Sequence, residues 1–509
     1  MSPGTPDTPR RLTSARTLLR GAAWNQLGQL LPVLAALVLI PPLIRGLGVD
    51  RFGIFSLAWM LIGYFTLFDL GVSGALTRLV SERIAAHREA EVPALVWTAL
   101  ALTTLMGIVG AVLLALAAPW LSGTALHVPP ALRRETLQLT WVLACSLPVV
   151  TGTAALAGVL AAQQRFGVLN AIRVPMGILT YLVPLLALRF GANLLPLGVA
   201  LAVVRILGGL AHLAACLVST PGLAARIAPR RSLLTPILSF GSWMTVSALV
   251  SPIMLYLDRF LIGGMLSVAM VAYYTTPYDL SLRFGILAIP VVNVMFPAFA
   301  ACYDTNPERA GRLFDWSTRA VAMLLFPLVT ACVLFPGELL TLWLGAEFAG
   351  HAALVLRLLA LGMFLNGMAQ VALAFMQSSG RPDLGARLHA LELPFYVLAA
   401  WLLIGRFGIA GAAVACLARV TVDAVALFLM ARRRLGTHDA GPRMALVVGA
   451  TGTLSIAAGS LLPGLALRGV YALCLLGIYA WLVWRHVLLP GRRVFFEAQE
   501  ARAAARTTP

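Results

Sequence analysis

Apolar residues recur along the chain in runs of about twenty, from Gly21 almost to residue 490, with no period-two alternation. Each run is long enough for a helix to cross roughly 30 Å of hydrocarbon at about 1.5 Å per residue. Lipid offers no partners to backbone amides, so only helices or a closed barrel can cross it. The length of the runs excludes a barrel, whose strands need about 10 residues of alternating pattern. The pattern predicts an all-α integral membrane protein with about fourteen transmembrane helices, at 21–44, 52–77, 92–118, 136–161, 168–188, 194–218, 234–257, 268–300, 314–336, 351–377, 386–404, 408–431, 444–462 and 469–489. The longest connections are 119–135, 219–233 and 337–350, too short for an extramembrane catalytic domain.

Composition agrees. The chain is 60% hydrophobic and 11% charged, against about 25% charged in soluble domains. The net charge of +18 changes the picture more, because every one of the 38 basic residues is arginine. Arg45, Arg51, Arg133, Arg134, Arg189, Arg259, Arg406 and Arg468 fall on one side of the predicted spans. Arg173, Arg205, Arg283, Arg319, Arg357 and Arg419 fall within spans, leaving 24 of the 38 at or beyond the other ends. A threefold bias of this kind predicts that both termini are cytoplasmic, in a bacterial inner membrane. The excess charge is topological, with anionic lipids as its partner and no nucleic acid implied. The polar residues 1–20 form a cytoplasmic tail, 21–44 is a retained span rather than a signal peptide, and 490–509 is a second, interfacial tail.

Sliding the chain by 214 residues aligns Arg45 with Arg259, Tyr64 with Tyr278, Gly71 with Gly285, Gln163 with Gln377, Arg173 with Arg387, and Arg205 with Arg419. One register over six spans predicts two six-helix lobes in the same orientation, related as a parallel repeat. The expected bounds are 21–218 for the first lobe, 219–233 for a linker, 234–431 for the second lobe, and 444–489 for two further spans.

The stretch 41–78, PPLIRGLGVDRFGIFSLAWMLIGYFTLFDLGVSGALTR, resembles the opening of polysaccharide and O-antigen flippases. These belong to the superfamily of multidrug/oligosaccharidyl-lipid/polysaccharide exporters. The stretches 257–280, LDRFLIGGMLSVAMVAYYTTPYDL, and 380–425 resemble the same family. The resemblance implies two six-helix lobes around a central cavity, plus two C-terminal helices. It also implies alternating access that carries an undecaprenyl-diphosphate-linked oligosaccharide to the outer leaflet, alongside a polysaccharide polymerase and glycosyltransferases. The family pattern carries an Asp at the position of Asp69.

Charges inside spans are costly, about 2.5–3.5 kcal/mol each at a helix centre, and are functional candidates for that reason. Arg205 lies near mid-bilayer with no acid within four positions. Its guanidinium suits a diphosphate bidentately, although a salt bridge to another helix would also satisfy it. Arg283 with Asp279, and Arg419 with Asp423, are spaced to neutralise themselves on one helix face; substrate contact is the competing role for both arginines. Arg357, six residues inside its span, can snorkel to the outer surface. Asp69, Glu392 and His389 are candidates for proton coupling, with interfacial or helix-contact roles as the alternatives. Asp258 and Arg259 fit a gate or a contact between lobes.

No phosphate loop, HExxH, catalytic triad or nucleotide fingerprint occurs. Six cysteines and seven histidines are scattered, so neither a disulfide framework nor a metal site is expected. The sequence therefore predicts a transporter without cofactors, driven by a proton or sodium gradient or by product removal. A multidrug or organic-cation antiporter and a lipid II flippase are the rival readings. An envelope acyltransferase or polymerase would need a large outer loop bearing catalytic groups, which the chain lacks.

Overall fold

The computed structural model describes residues 15–65, 72–191, 193–225, 229–235, 254, 256–303, 306–435 and 441–483. Its elements are α1 (Ala15–Leu47), α2 (Val49–Phe65), α3 (Val72–Ala85), α4 (Val92–Trp120), α5 (Arg133–Ala162), α6 (Phe166–Ala187), α7 (Leu194–Ser219), α8 (Val268–Leu282), α9 (Gly285–Cys302), α10 (Pro307–Leu334), α11 (Pro336–Leu344), α12 (Ala346–Ser378), α13 (Pro382–Leu435), α14 (Gly441–Gly459) and α15 (Leu465–Val483). The described residues contain no strand, and 10 of their helices are long and apolar enough to cross a membrane. The expected span 234–257 lies mostly outside the described residues.

One expectation about continuity changes. The run 268–300 is two helices rather than one. Arg283 and Phe284 turn between them, with their amides bonded to the carbonyls of Leu280 and Ser281, three residues back. That tighter hydrogen bonding precedes Gly285, which tolerates the break. The expected spans 386–404 and 408–431 are the two helices of α13, which meet at a sharp kink at Gly408 with φ 61° and ψ −140°. That backbone region is open to glycine and costly for other residues. Three residues later, a Cβ on Gly411 would lie 2.0 Å from the carbonyl oxygen of Leu403. The chain passes too closely there for any side chain.

The chain forms two compact units, Met1–Thr275 and Thr276–Pro509. The division falls within α8 because the residues just before it pack on the first unit. A Cβ on Gly53 would lie 1.8 Å from the Val268 carbonyl oxygen, and the His127 amide donates to the Gly263 carbonyl at 2.8 Å.

Helix limits recur between the units in the register of 214. Adding that offset to α4 and α5 gives 306–334 and 347–376, against the observed Pro307–Leu334 and Ala346–Ser378. Both α4 and α10 begin with a proline in the first two positions, Pro93 and Pro307, where its missing N–H costs nothing. The packing repeats too: α4 lies on α5 and α5 on α7, while α10 lies on α12 and α12 on α13. These contacts are made by small residues and hydroxyls, as expected where lipid removes the hydrophobic incentive for helices to associate. Gly107 of α4 meets Pro148 and Thr151 of α5, and the Thr151 hydroxyl donates to the Thr103 carbonyl at 2.8 Å. The opposite face of α4 exposes Leu105, Ile108, Val112 and Leu116, an apolar surface suited to acyl chains.

Candidate functional site

In the second unit, the two segments of α13 bring together residues that lie up to 34 positions apart (389 to 423). The segment before Gly408 carries His389, Glu392 and Tyr396, spaced to share one face. The segment after it carries Arg419 and Asp423. His389 Nε2 approaches Asp423 at 3.3 Å, and the Arg419 guanidinium lies over the Tyr396 ring, 5.3 Å from its centroid. Glu392 and Asp423 are buried, 7% and 6% exposed. Both Glu392 carboxylate oxygens and the Arg419 Nε are buried without a hydrogen-bond partner. Arg419 and Asp423 make no direct ion pair: Asp423 approaches His389 and Arg419 lies over Tyr396, while the charges of Arg419 and Asp423 still interact. A planar guanidinium can stack in this way while keeping its N–H groups in plane for other acceptors.

The first unit holds cations of a different kind. Arg205 on α7 is half-buried, and its Nε is enclosed without a hydrogen-bond partner. Among the described residues it makes no ion pair. Two turns further along the same face, His212 is buried at 5% exposure. Its Nδ1 donates to the Gly208 carbonyl at 2.7 Å, while Nε2 is buried with no partner. That nitrogen accepts in the neutral ring and donates in the charged one. Arg173 of α6 lies close enough to His212 for their charges to interact. Two arginines and a histidine thus lie on α6 and α7, with hydrogen-bonding capacity left open at Arg205 and His212.

Asp258 and Arg259, each 1% exposed, sit in a seam within the first unit. Asp258 accepts hydrogen bonds from the Tyr274 hydroxyl and from the Arg259 amide at 2.8 Å. The Arg259 guanidinium reaches the Met60 sulfur at 2.7 Å and lies 5.4 Å from the centroid of Tyr256. With the close Gly53–Val268 approach, this seam joins α2 to the stretch that leads into α8.

The other candidates are dispersed. Arg283 is half-buried at the α8–α9 turn, and Asp279 lies in the last turn of α8; both are engaged. The Arg357 Nε donates to the Val333 carbonyl at 3.2 Å, near the end of α10. Asp69 lies outside the described residues. Among the described residues no three His, Cys, Asp or Glu side chains converge as metal ligands.

Sequence reasoning missed the partners. Tyr396 follows Glu392 by one turn and could have been flagged for that spacing; His212 stands two turns from Arg205. Neither Tyr274 nor Met60 carries a comparable signal. Also missed is the two-pronged Arg51–Glu135 bridge, at 3.0 and 2.9 Å, whose carboxylate also accepts the Leu194 amide at 3.2 Å. It ties together the ends of three helices.

The second unit also contains a largely apolar cavity of about 470 Å³ among α10, α12, α14 and α15. Phe326 stacks on Tyr479 there, with ring centroids 5.2 Å apart. Arg319, also in its lining, is paired with Asp315 at 2.7 Å.

Known proteins share both the sequence and the fold. A Shigella flexneri protein that bears the name of an O-antigen transporter is 25% identical over 83% of this chain and 100% of its own length. An inward-facing multidrug resistance MATE family transporter of the MOP superfamily superposes with a TM-score of 0.69 at 17% identity, over 80% of this chain and 94% of that one. The lipid II flippase MurJ, in an inward closed conformation, superposes at 0.68 and 8% identity, over 92% and 100%. These relatives are transporters and flippases rather than enzymes, and the chain has the all-α membrane fold of its structural neighbours. Residues 18–302, more than half the sequence, match one family throughout, and the chain belongs to it: the polysaccharide biosynthesis proteins.

Proposed function

We propose that this protein is a flippase that moves an undecaprenyl-diphosphate-linked oligosaccharide across the bacterial inner membrane by alternating access. The observation that carries the reading is Arg205, a mid-span cation with a buried, unpartnered Nε. His212 lies two turns along the same helix, and Arg173 is within electrostatic reach of His212. A pyrophosphate supplies what this face lacks: several anionic acceptors that a guanidinium can bind two at a time. An organic-cation antiporter would place carboxylates there, and α6 and α7 contain none. The apolar cavity beside α14 and α15 suits a hydrocarbon chain, such as the polyprenyl part of this substrate.

Energy enters through the second unit in this reading. Glu392 is buried with neither oxygen hydrogen-bonded, an arrangement that penalises its anion. We infer that Glu392, with His389 and Asp423 beside it, exchanges the coupling proton. No cofactor is required.

The test is genetic and biochemical. Cells lacking the protein lose surface polysaccharide and accumulate its lipid-linked precursor in the cytoplasmic leaflet, and the gene supplied in trans restores both. Unchanged export in its absence rejects the reading.

The orientation makes a separate prediction. Reporters fused after residue 225 and at the C-terminus both read cytoplasmic, following the arginine asymmetry. A periplasmic signal at either position rejects the topology.

A further inference from the structure

At one end of the first unit lies a polar pocket of about 410 Å³, within the size range of small-molecule sites, roughly 300–1,000 Å³. Three connections and the helix ends beside them supply it: residues from Ser81 to Val92 between the end of α3 and the start of α4, Ala162 to Arg165 where α5 gives way to α6, and Ser219 to Pro221 at the end of α7. All three connections fall on the side that the arginine pattern assigns to the cytoplasm.

The lining is built for hydroxyl groups rather than for a bare anion. Gln163 donates through Nε2 to the Thr220 hydroxyl at 2.8 Å, while its Oε1 is buried with no partner. Ser81, Ser219 and Gln164 add neutral donors and acceptors. Glu89 and Arg165 contribute one charge of each sign, so the wall carries no excess charge to select a phosphate. Ile84, Val92, Ala162 and Pro221 provide apolar surface for the C–H face of a pyranose ring.

The backbone at the rim has paid for side chains that a simple turn would omit. Among the described residues, two non-glycine residues have positive φ, His87 at 55° and Gln164 at 56°, and they stand in the two turns that frame the pocket. Gln164 closes α5 in a six-residue cap: its amide bonds to the Ala161 carbonyl and the Arg165 amide to that of Leu160, both at 2.9 Å. At the end of α12 the same cap recurs, with Gly380 at φ 78° and the Arg381 amide bonded to Met376 at 3.1 Å. Glycine is the ordinary residue there. A glutamine kept in that conformation costs of order 1 kcal/mol, and strain of this kind clusters at ligand sites.

We propose that this pocket binds a sugar residue of the substrate glycan on the cytoplasmic side before translocation. The inference rests on the flippase reading and adds a carbohydrate subsite to it. Glu89 and the Gln163 and Gln164 amides pair with ring hydroxyls, leaving the diphosphate to Arg205.

Two measurements test it on the full chain. In the first, purified protein in lipid nanodiscs is mixed separately with the methyl glycosides of glucose, galactose, N-acetylglucosamine and rhamnose, and saturation transfer is recorded by NMR. At least one sugar gives a signal, and both Gln164→Gly and Glu89→Gln weaken its binding by about fivefold, as expected for one lost hydrogen bond. Gln164→Gly preserves the cap and relieves its strain, so its loss of binding cannot be a loss of fold. In the second, export per folded protein falls in these variants when precursor is scarce and recovers when it is plentiful. No transfer from any of the four sugars, or transfer indifferent to both substitutions, overturns the subsite. So does export equal to wild type at every precursor level. If the flippase reading itself were wrong, cells lacking the protein would export as well as wild type, a result independent of sugar binding.

Discussion

Arg205→Ala abolishes glycan export while the protein accumulates in the membrane at near-normal levels. The reason lies in its surroundings. A structural arginine in a span has an acid or a carbonyl to satisfy it, as Arg357 has the Val333 carbonyl. Arg205 makes no such bond among the described residues, so its removal strands no partner. Its loss removes instead a charge held ready for an anion, and a hydrogen bond to a charged group is worth about 1.5–3 kcal/mol. Two such bonds to a diphosphate would account for a decrease of between a hundredfold and ten-thousandfold. Arg205→Lys restores part of this, because an ammonium keeps the charge but offers no planar fork. The measurement is export normalised to folded protein, and wild-type export by Arg205→Ala at normal abundance removes this residue from the mechanism.

Helices were legible in the sequence wherever lipid dictated them. The limits of α4, α5, α6 and α7 fall within a few residues of the hydropathy runs, because unpaired backbone in hydrocarbon leaves no other solution. The register of 214 was legible for a similar reason: the same helix ends recur in both units. What hydropathy could not register is how helices stop and turn inside an apolar run. The break after Leu282 leaves mean hydropathy unchanged, since glycine and proline are common throughout membrane helices, whereas the pivot at Gly408 falls at the boundary between two predicted spans. The candidate charges were visible singly, while their partners were not. Spacing paired Arg419 with Asp423, but Gly408 and Gly411 bring the preceding segment alongside and supply Tyr396 and His389 instead. Around Arg205 the local sequence offers no acid within four positions, and none of the described residues forms an ion pair with it.

Arg419→Met, by contrast, reduces folded protein before any effect on export can be read. Arg419 occupies the position of Arg205 in the second repeat, yet its setting is the opposite. It is held against Tyr396, beside a helix face that carries the buried carboxylates of Glu392 and Asp423. Its positive charge offsets theirs in a medium where an isolated ion is expensive. Removing one member of a buried charge set typically costs about 3–5 kcal/mol, because the remaining charges are left uncompensated. Methionine keeps the volume and removes the cation, so cavity formation does not confuse the result. The thermal unfolding transition of Arg419→Met in detergent therefore shifts to markedly lower temperature. Adding Glu392→Gln recovers much of the loss by deleting a carboxylate that no longer has a counter-charge. Arg419→Lys lies between, since an ammonium supplies charge but stacks less well on a ring. A stable, well-expressed Arg419→Met that fails only in export would instead assign Arg419 to the substrate path. A Glu392→Gln second substitution that brings no recovery would show that the cluster is not balanced by charge.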